Sequence, residues 1–161
     1  MVVEDETLLL QAITKKLKFS NMDVLSCASG QQAVDYLNNL DELPDAIWLD
    51  YYLKDMNGLA FMQELKGNPK WMNIPVIVVS NSASPEKVHN MLALGARKYI
   101  LKAEYRLDEI IGMIREFIND NTVSVAASAS DANPAEPVAV PVRSTDTTAV
   151  SDVTPEKPQE P

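Results

Sequence analysis

Ile74-Pro75-Val76-Ile77-Val78-Val79-Ser80 is the most apolar strand-like run in this chain of 161 residues. It lacks polar alternation, the pattern of a strand covered on both faces of a parallel sheet. Upstream, Ala46-Ile47-Trp48-Leu49 repeats the pattern and runs into Asp50, after which Asn57-Gly58 caps a helix carrying Phe61, Met62 and Leu65. Downstream, Ser84-Pro85 opens a helix, since proline at the first helical position loses no hydrogen bond. Val88, Met91 and Leu92 are expected to form its buried face up to Gly95, and Lys98-Tyr99-Ile100-Leu101 follows as a strand. Further out, Val2-Val3 precedes a helix lined by Leu10, Ile13 and Leu17. Asp23-Val24-Leu25-Ser26 then reads as a strand, and Ser29-Gly30-Gln31-Gln32 as a capping box ahead of Ala33, Val34 and Leu37. Leu107, Ile110, Ile111, Ile114 and Ile118 give a last helix its apolar stripe, with Arg115 and Glu116 on the wet side. Strand and helix thus alternate five times, and right-handed crossovers make this a three-layer α/β/α doubly wound parallel sheet.

The net charge of −9 disfavours direct contact with nucleic acid or anionic lipid, because no basic patch offsets it. Apolar runs are far short of the roughly 20 residues that cross a bilayer, so no membrane association is expected. Met1-Val2-Val3 leads at once into Glu4-Asp5-Glu6, unlike a secretory signal, and the expected location is the cytoplasm. With one cysteine, Cys27, and one histidine, His89, there is no soft-metal cluster. Composition changes near residue 121: every glycine and aromatic residue lies before it, and six of ten prolines after. Residues 1–121 are read as one domain and 122–161 as a disordered Ala/Pro/Ser/Thr-rich acidic tail, too poor in large apolar side chains to offset ordering entropy. The tail has no helix-turn-helix periodicity, so no direct DNA binding is expected.

Parallel strands bring their carboxyl ends to one edge, where ligands bind in such sheets. Those ends are Glu4-Asp5, Ser26-Cys27, Asp50, Ser80 and Lys102. Three converging carboxylates repel one another unless a cation sits among them, and hard oxygen donors point to Mg²⁺. With Lys102 and the Ser80 hydroxyl around Asp50, the set suits the equatorial oxygens of a phosphoryl group, with Asp50 as its nucleophile.

On these residues the sequence resembles the receiver domain of response regulators in two-component signalling, over residues 1 to about 120. The resemblance is carried by Val3-Glu4-Asp5-Glu6, Leu49-Asp50 followed by Asp55-Met56-Asn57-Gly58, Ser80, Gly95-Ala96, and Tyr99 three residues before Lys102. It implies a flavodoxin-like five-stranded sheet of order 2-1-3-4-5. It also implies that Asp50 is the phosphoacceptor and that Glu4, Asp5, Asp50 and the backbone carbonyl of Tyr52 hold Mg²⁺. Ser80 and Lys102 would bind phosphoryl oxygens, and Ser80 and Tyr99 would form the switch. The phosphoryl donor would be a sensor histidine kinase or a histidine phosphotransfer protein, and the output a protein target on the face of the fourth helix, fifth strand and fifth helix, or onward relay of the phosphoryl group. Such a protein is a self-phosphorylating acceptor that slowly dephosphorylates itself, rather than a multiple-turnover enzyme.

The sequence departs from the common pattern at Tyr52 and Asn81, which are large at the rim. It departs also at Lys54, where proline is frequent, and at Ala103, where a trans peptide is expected because cis before a non-proline costs about 2.5–4 kcal/mol. The first strand is short for a central one. These departures motivate an alternative, a degenerate receiver serving as a phosphorylation-independent docking module. A doubly wound aspartyl-phosphate phosphatase is disfavoured by Tyr52, which stands where such enzymes carry a second aspartate. Read singly, Glu4-Asp5-Glu6 could be acids favoured in a first helical turn, Ser80 a locally bonded strand end, Tyr99 a packing residue and Cys27 a small apolar filler. His89 is expected at the surface or half-buried, without a role.

Overall fold

The computed structural model describes residues 1–129 of the chain, and side chains as far as Asn119. Its elements are β1 (Val2–Val3), α1 (Thr7–Phe19), β2 (Ser26–Cys27), α2 (Gly30–Asn39), β3 (Ile47–Asp50), α3 (Gly58–Gly67), β4 (Val76–Ser80), α4 (Pro85–Ala93), β5 (Lys98–Leu101) and α5 (Leu107–Ala129). All strand pairs are parallel, and the sheet order is β2-β1-β3-β4-β5. The doubly wound fold and its strand order are those expected.

Side chains alternate across a strand, so each strand supplies both faces of the sheet. Val3, Ile47, Leu49, Val76 and Val78 face one core with Phe61, Met62 and Leu65 of α3 and Met91 of α4. Val2, Trp48, Ile77, Val79 and Ile100 face the other with Leu10, Ile13 and Leu17 of α1 and Ile110, Ile111 and Ile114 of α5. Among the described residues, the Trp48 indole N–H is the buried side-chain polar group without a hydrogen-bond partner.

Local signals act where the sequence puts them. Asn57 and Ser84 accept the N–H groups of Ala60 and Lys87 at the starts of α3 and α4. Ser29 accepts from Gln32, whose Oε1 in turn accepts from Ala28, one residue earlier than the reciprocal bond of a capping box. Gly95, at φ +91°, ends α4 in a Schellman motif: its N–H reaches Leu92 O and that of Ala96 reaches Met91 O.

Three expectations need correction. The second strand is Ser26–Cys27 rather than residues 23–26, because β1 supplies only Val2 and Val3 as partners. Leu92 is 45% exposed rather than buried, so α4 is anchored through Met91 with Val88 half-buried. α5 runs to Ala129, through residues that composition assigns to the tail; alanines favour helix, and no Gly or Pro intervenes there. The rest of that segment, 130–161, lies outside the described residues.

The β3–α3 loop closes tightly behind Asp50. Gly58 N–H donates to Tyr51 O at 2.7 Å, and a Cβ on Gly58 would stand 3.0 Å from Tyr51 Cα and 3.4 Å from Asp50 O. Asp55 accepts from Gly30 N–H at 3.1 Å and Gln31 N–H at 2.8 Å, fastening the loop to the start of α2. Gly58→Ala is therefore expected to destabilise the fold by about 1–3 kcal/mol, since backbone atoms must shift to admit the methyl group. Urea unfolding monitored by circular dichroism measures it.

Candidate functional site

Glu4 follows β1, Asp50 and Ser80 end β3 and β4, and Lys102 follows β5, all at the carboxyl edge of the sheet. Glu4, Asp50 and Ser80 are buried, at 1%, 5% and 0% exposure. The Lys102 ammonium joins the strands, donating to Glu4 Oε2 at 2.8 Å and Asp50 Oδ2 at 2.9 Å. Burial works against that ammonium, but the bonds to Glu4 and Asp50 outweigh it and hold its pKa above that of an ordinary lysine. Burial dominates at Glu4 and raises its pKa despite Lys102, with the negative charge of Asp50 adding to the rise.

Glu4-Asp5-Glu6 is not the acidic first turn of a helix. α1 begins at Thr7 with no acid in its first turn, and Glu6 makes no capping bond with its side chain. Glu4 Oε1 instead accepts the Glu6 N–H at 3.3 Å. One oxygen each from Glu4, Asp5 and Asp50 can lie within 4.8 Å of the other two. That set of hard donors, with Asp5 still partly open, fits Mg²⁺, which favours carboxylates and retained waters. Asp50 Oδ1 accepts the Tyr52 N–H at 3.3 Å, which keeps the Tyr52 backbone at the same rim.

The opposite wall is the loop after β4. Ser80 Oγ accepts the Ser82 N–H at 3.4 Å. Tyr99 donates its hydroxyl to Ser82 O at 2.7 Å. Burial raises the Tyr99 phenol, against the opposing pull of a hydrogen bond with Ser80. Tyr52 is 45% exposed; its hydroxyl lies 3.0 Å from Ser82 Oγ and accepts a hydrogen bond from Lys87. That Lys87 bond is the main reason the Tyr52 phenol lies below its ordinary value. Lys87 also sits over the Tyr51 and Tyr52 rings, 5.5 and 4.8 Å from their centroids.

The seven residues singled out from sequence as site members thus lie along one edge: Glu4, Asp5, Asp50, Tyr52, Ser80, Lys102 and, through its hydroxyl, Tyr99. Asn81 is exposed at the rim, Cys27 is buried, and His89 is exposed on α4. Sequence reasoning gave no role to Ser82 or Lys87, and treated Lys54 only as a departure. Lys54 in fact reaches Asp5, at 3.6 Å from Oδ2 and 3.1 Å from the backbone oxygen.

Known proteins share the family and the fold of this chain. Residues 1–115 match the family described as response regulator receiver domain, and the chain belongs to that family of two-component signalling. The two-component response regulator ORR8 of Oryza sativa subsp. japonica is 32% identical over 102 residues, covering 63% of this chain and 84% of its own length. The CheY-like receiver domain protein of Methanospirillum hungatei JF-1 has a similar fold, with TM-score 0.69 and 23% identity over 76% of this chain and 94% of its own. The receiver domain of Francisella response regulator 1452 gives TM-score 0.67 and 23% identity, over 74% and 95%.

Two outcomes follow from the buried charges. Lys102→Met leaves the buried Glu4 and Asp50 without their ammonium partner and is expected to cost about 3 kcal/mol in chelator-treated protein, read from denaturant midpoints. Because the folded pKa of Glu4 is raised above its ordinary 4.5, the folded state holds that proton more tightly than the unfolded chain. Stability contributed by Glu4 is therefore lost as pH climbs from about 4.5 through the raised value. Glu4→Gln removes that slope in unfolding curves collected across the range.

Proposed function

We propose that this protein is a phosphorylation-controlled response regulator in which Asp50 accepts a phosphoryl group from a kinase or phosphotransfer-protein phosphohistidine. The observation that carries the reading is the buried Asp50 carboxylate, held beside Glu4, Asp5 and the Lys102 ammonium at the carboxyl edge of the sheet.

An Asp50 oxygen attacks phosphorus in line with the departing imidazole nitrogen. The new O–P bond forms as the N–P bond breaks, and the histidine leaves with the electron pair of that bond. Lys102 lies 2.9 Å from Asp50 Oδ2 and donates a hydrogen bond to an equatorial oxygen, offsetting the negative charge there. Mg²⁺, held by Glu4, Asp5, Asp50 and the Tyr52 carbonyl, would supply further charge neutralisation at the phosphoryl oxygens. Ser80 donates its hydroxyl to a second oxygen. That movement perturbs the Ser82 N–H to Ser80 contact and, through Ser82, the hydrogen bond that holds Tyr99. The added charge is thereby communicated to α4, β5 and α5, where a downstream protein target docks. The setting is the cytoplasm. Among the described residues no helix is long and apolar enough to cross a membrane.

A second reading, a docking module that is never phosphorylated, draws on the Tyr52 side chain fixed at the rim by Ser82 and Lys87. Intact-mass spectrometry after incubation with a small phosphodonor and Mg²⁺ separates the two. One added phosphoryl group is expected, absent with EDTA and absent in Asp50→Ala; a folded protein that gains no mass from several donors supports the docking module instead.

A further inference from the structure

Every carboxylate of the acidic cluster has an ammonium partner, but two different lysines supply them. Lys102 serves Glu4 and Asp50 from the floor of the site, with its side chain 14% exposed. Lys54 serves Asp5 from the β3–α3 loop, with its side chain 82% exposed and its contact longer, at 3.6 Å to Oδ2. A second anchor, the 3.1 Å bond to the Asp5 backbone oxygen, keeps its ammonium beside Asp5. Among the described residues, no other salt bridge to Asp5 is formed.

Resting on the reading of Glu4, Asp5 and Asp50 as a metal centre, we propose that Lys54 is a built-in competitor for the divalent cation, occupying the charge position at Asp5 that the metal must take. The two cannot share that position. A doubly charged ion bound to Asp5 would be repelled by the Lys54 ammonium, because like charges about 4 Å apart repel noticeably even in a water-like dielectric. Lys54 must therefore release Asp5 for the ion to enter. Its exposed stem makes the release cheap, because an ion pair of this kind contributes little and is weakened by salt. Lys102 is a poorer competitor, being enclosed and bonded twice. Lys54 would thus set metal affinity below what three carboxylates confer, so that charging of the site responds to the free cation concentration instead of saturating at low levels.

Isothermal titration of the unphosphorylated full chain with MgCl₂ tests this without any phosphoryl transfer. Lys54→Met keeps the length of the side chain and removes its charge, and is expected to bind Mg²⁺ about fivefold more tightly than the parent. Lys54→Arg should bind like the parent, Lys54→Glu tighter still, and the advantage of Lys54→Met should shrink as ionic strength rises. In an Asp5→Asn background the Lys54 substitution should make little further difference. Equal or weaker binding by Lys54→Met, with the parent binding normally, overturns the role of Lys54 while leaving the metal centre intact. No binding by the parent or by Lys54→Met overturns the metal centre itself, and the role of Lys54 with it.

Discussion

The Lys102 ammonium, 2.8 Å from Glu4 and 2.9 Å from Asp50, is the constraint around which the rest is arranged. Two carboxylates this deeply buried cannot both stay charged without a cation between them. That cation must come from the one strand end placed to reach both. β5 ends two strands away from β3 and three from β1 in the sheet order, so the lysine has to span the edge. The span holds only if β3, β4 and β5 keep the register in which Asp50 faces Val79 and Ser80 faces Leu101. Register in turn follows from which side chains enter which core. Electrostatics at the edge and packing in the middle therefore require the same alignment.

The site has walls of unequal stiffness. Behind Asp50, the loop to α3 is pinned by Gly58 against Tyr51 and by Asp55 against the start of α2. Across from it, the segment after Ser80 is held by side-chain hydroxyls and one lysine: Tyr99, Tyr52 and Lys87 around Ser82. Backbone closure resists displacement, whereas hydroxyl contacts at a solvent-exposed rim exchange readily with water. The more yielding wall of the site is therefore the one toward α4 and β5, and the stiffer one the wall toward α2.

How much of this the sequence discloses depends on distance along the chain and on reach. The strands β3 and β4 and the buried faces of α1, α2 and α3 are legible because unbroken apolar runs and three-to-four spacing are local properties. The edge residues are legible because parallel topology converts strand ends into neighbours. β2 is misplaced because its extent is dictated by the partner strand, not by its own Val24 and Leu25. Leu92 is misplaced because a short helix lying against one residue, Met91, leaves less room than periodicity assumes. Lys54 at Asp5 and Lys87 at Tyr52 are invisible beforehand, since long flexible side chains on loops and helix starts choose partners only once the fold exists. The charge of Lys54 was readable; its destination was not.

The sheet separates two apolar clusters that share no side chain, and β5 divides its residues between them, Tyr99 packing toward the first and Ile100 into the second. Tyr99 is bonded to the loop after Ser80, while Ile100 packs with α5. The two layers are consequently separable in evolution. Residues of α1 and α5 can be exchanged without removing a direct contact from the cluster that cradles Tyr99, because the two clusters have no side chain in common. The residues at the carboxyl edge can then be kept while the helices on the other layer diversify.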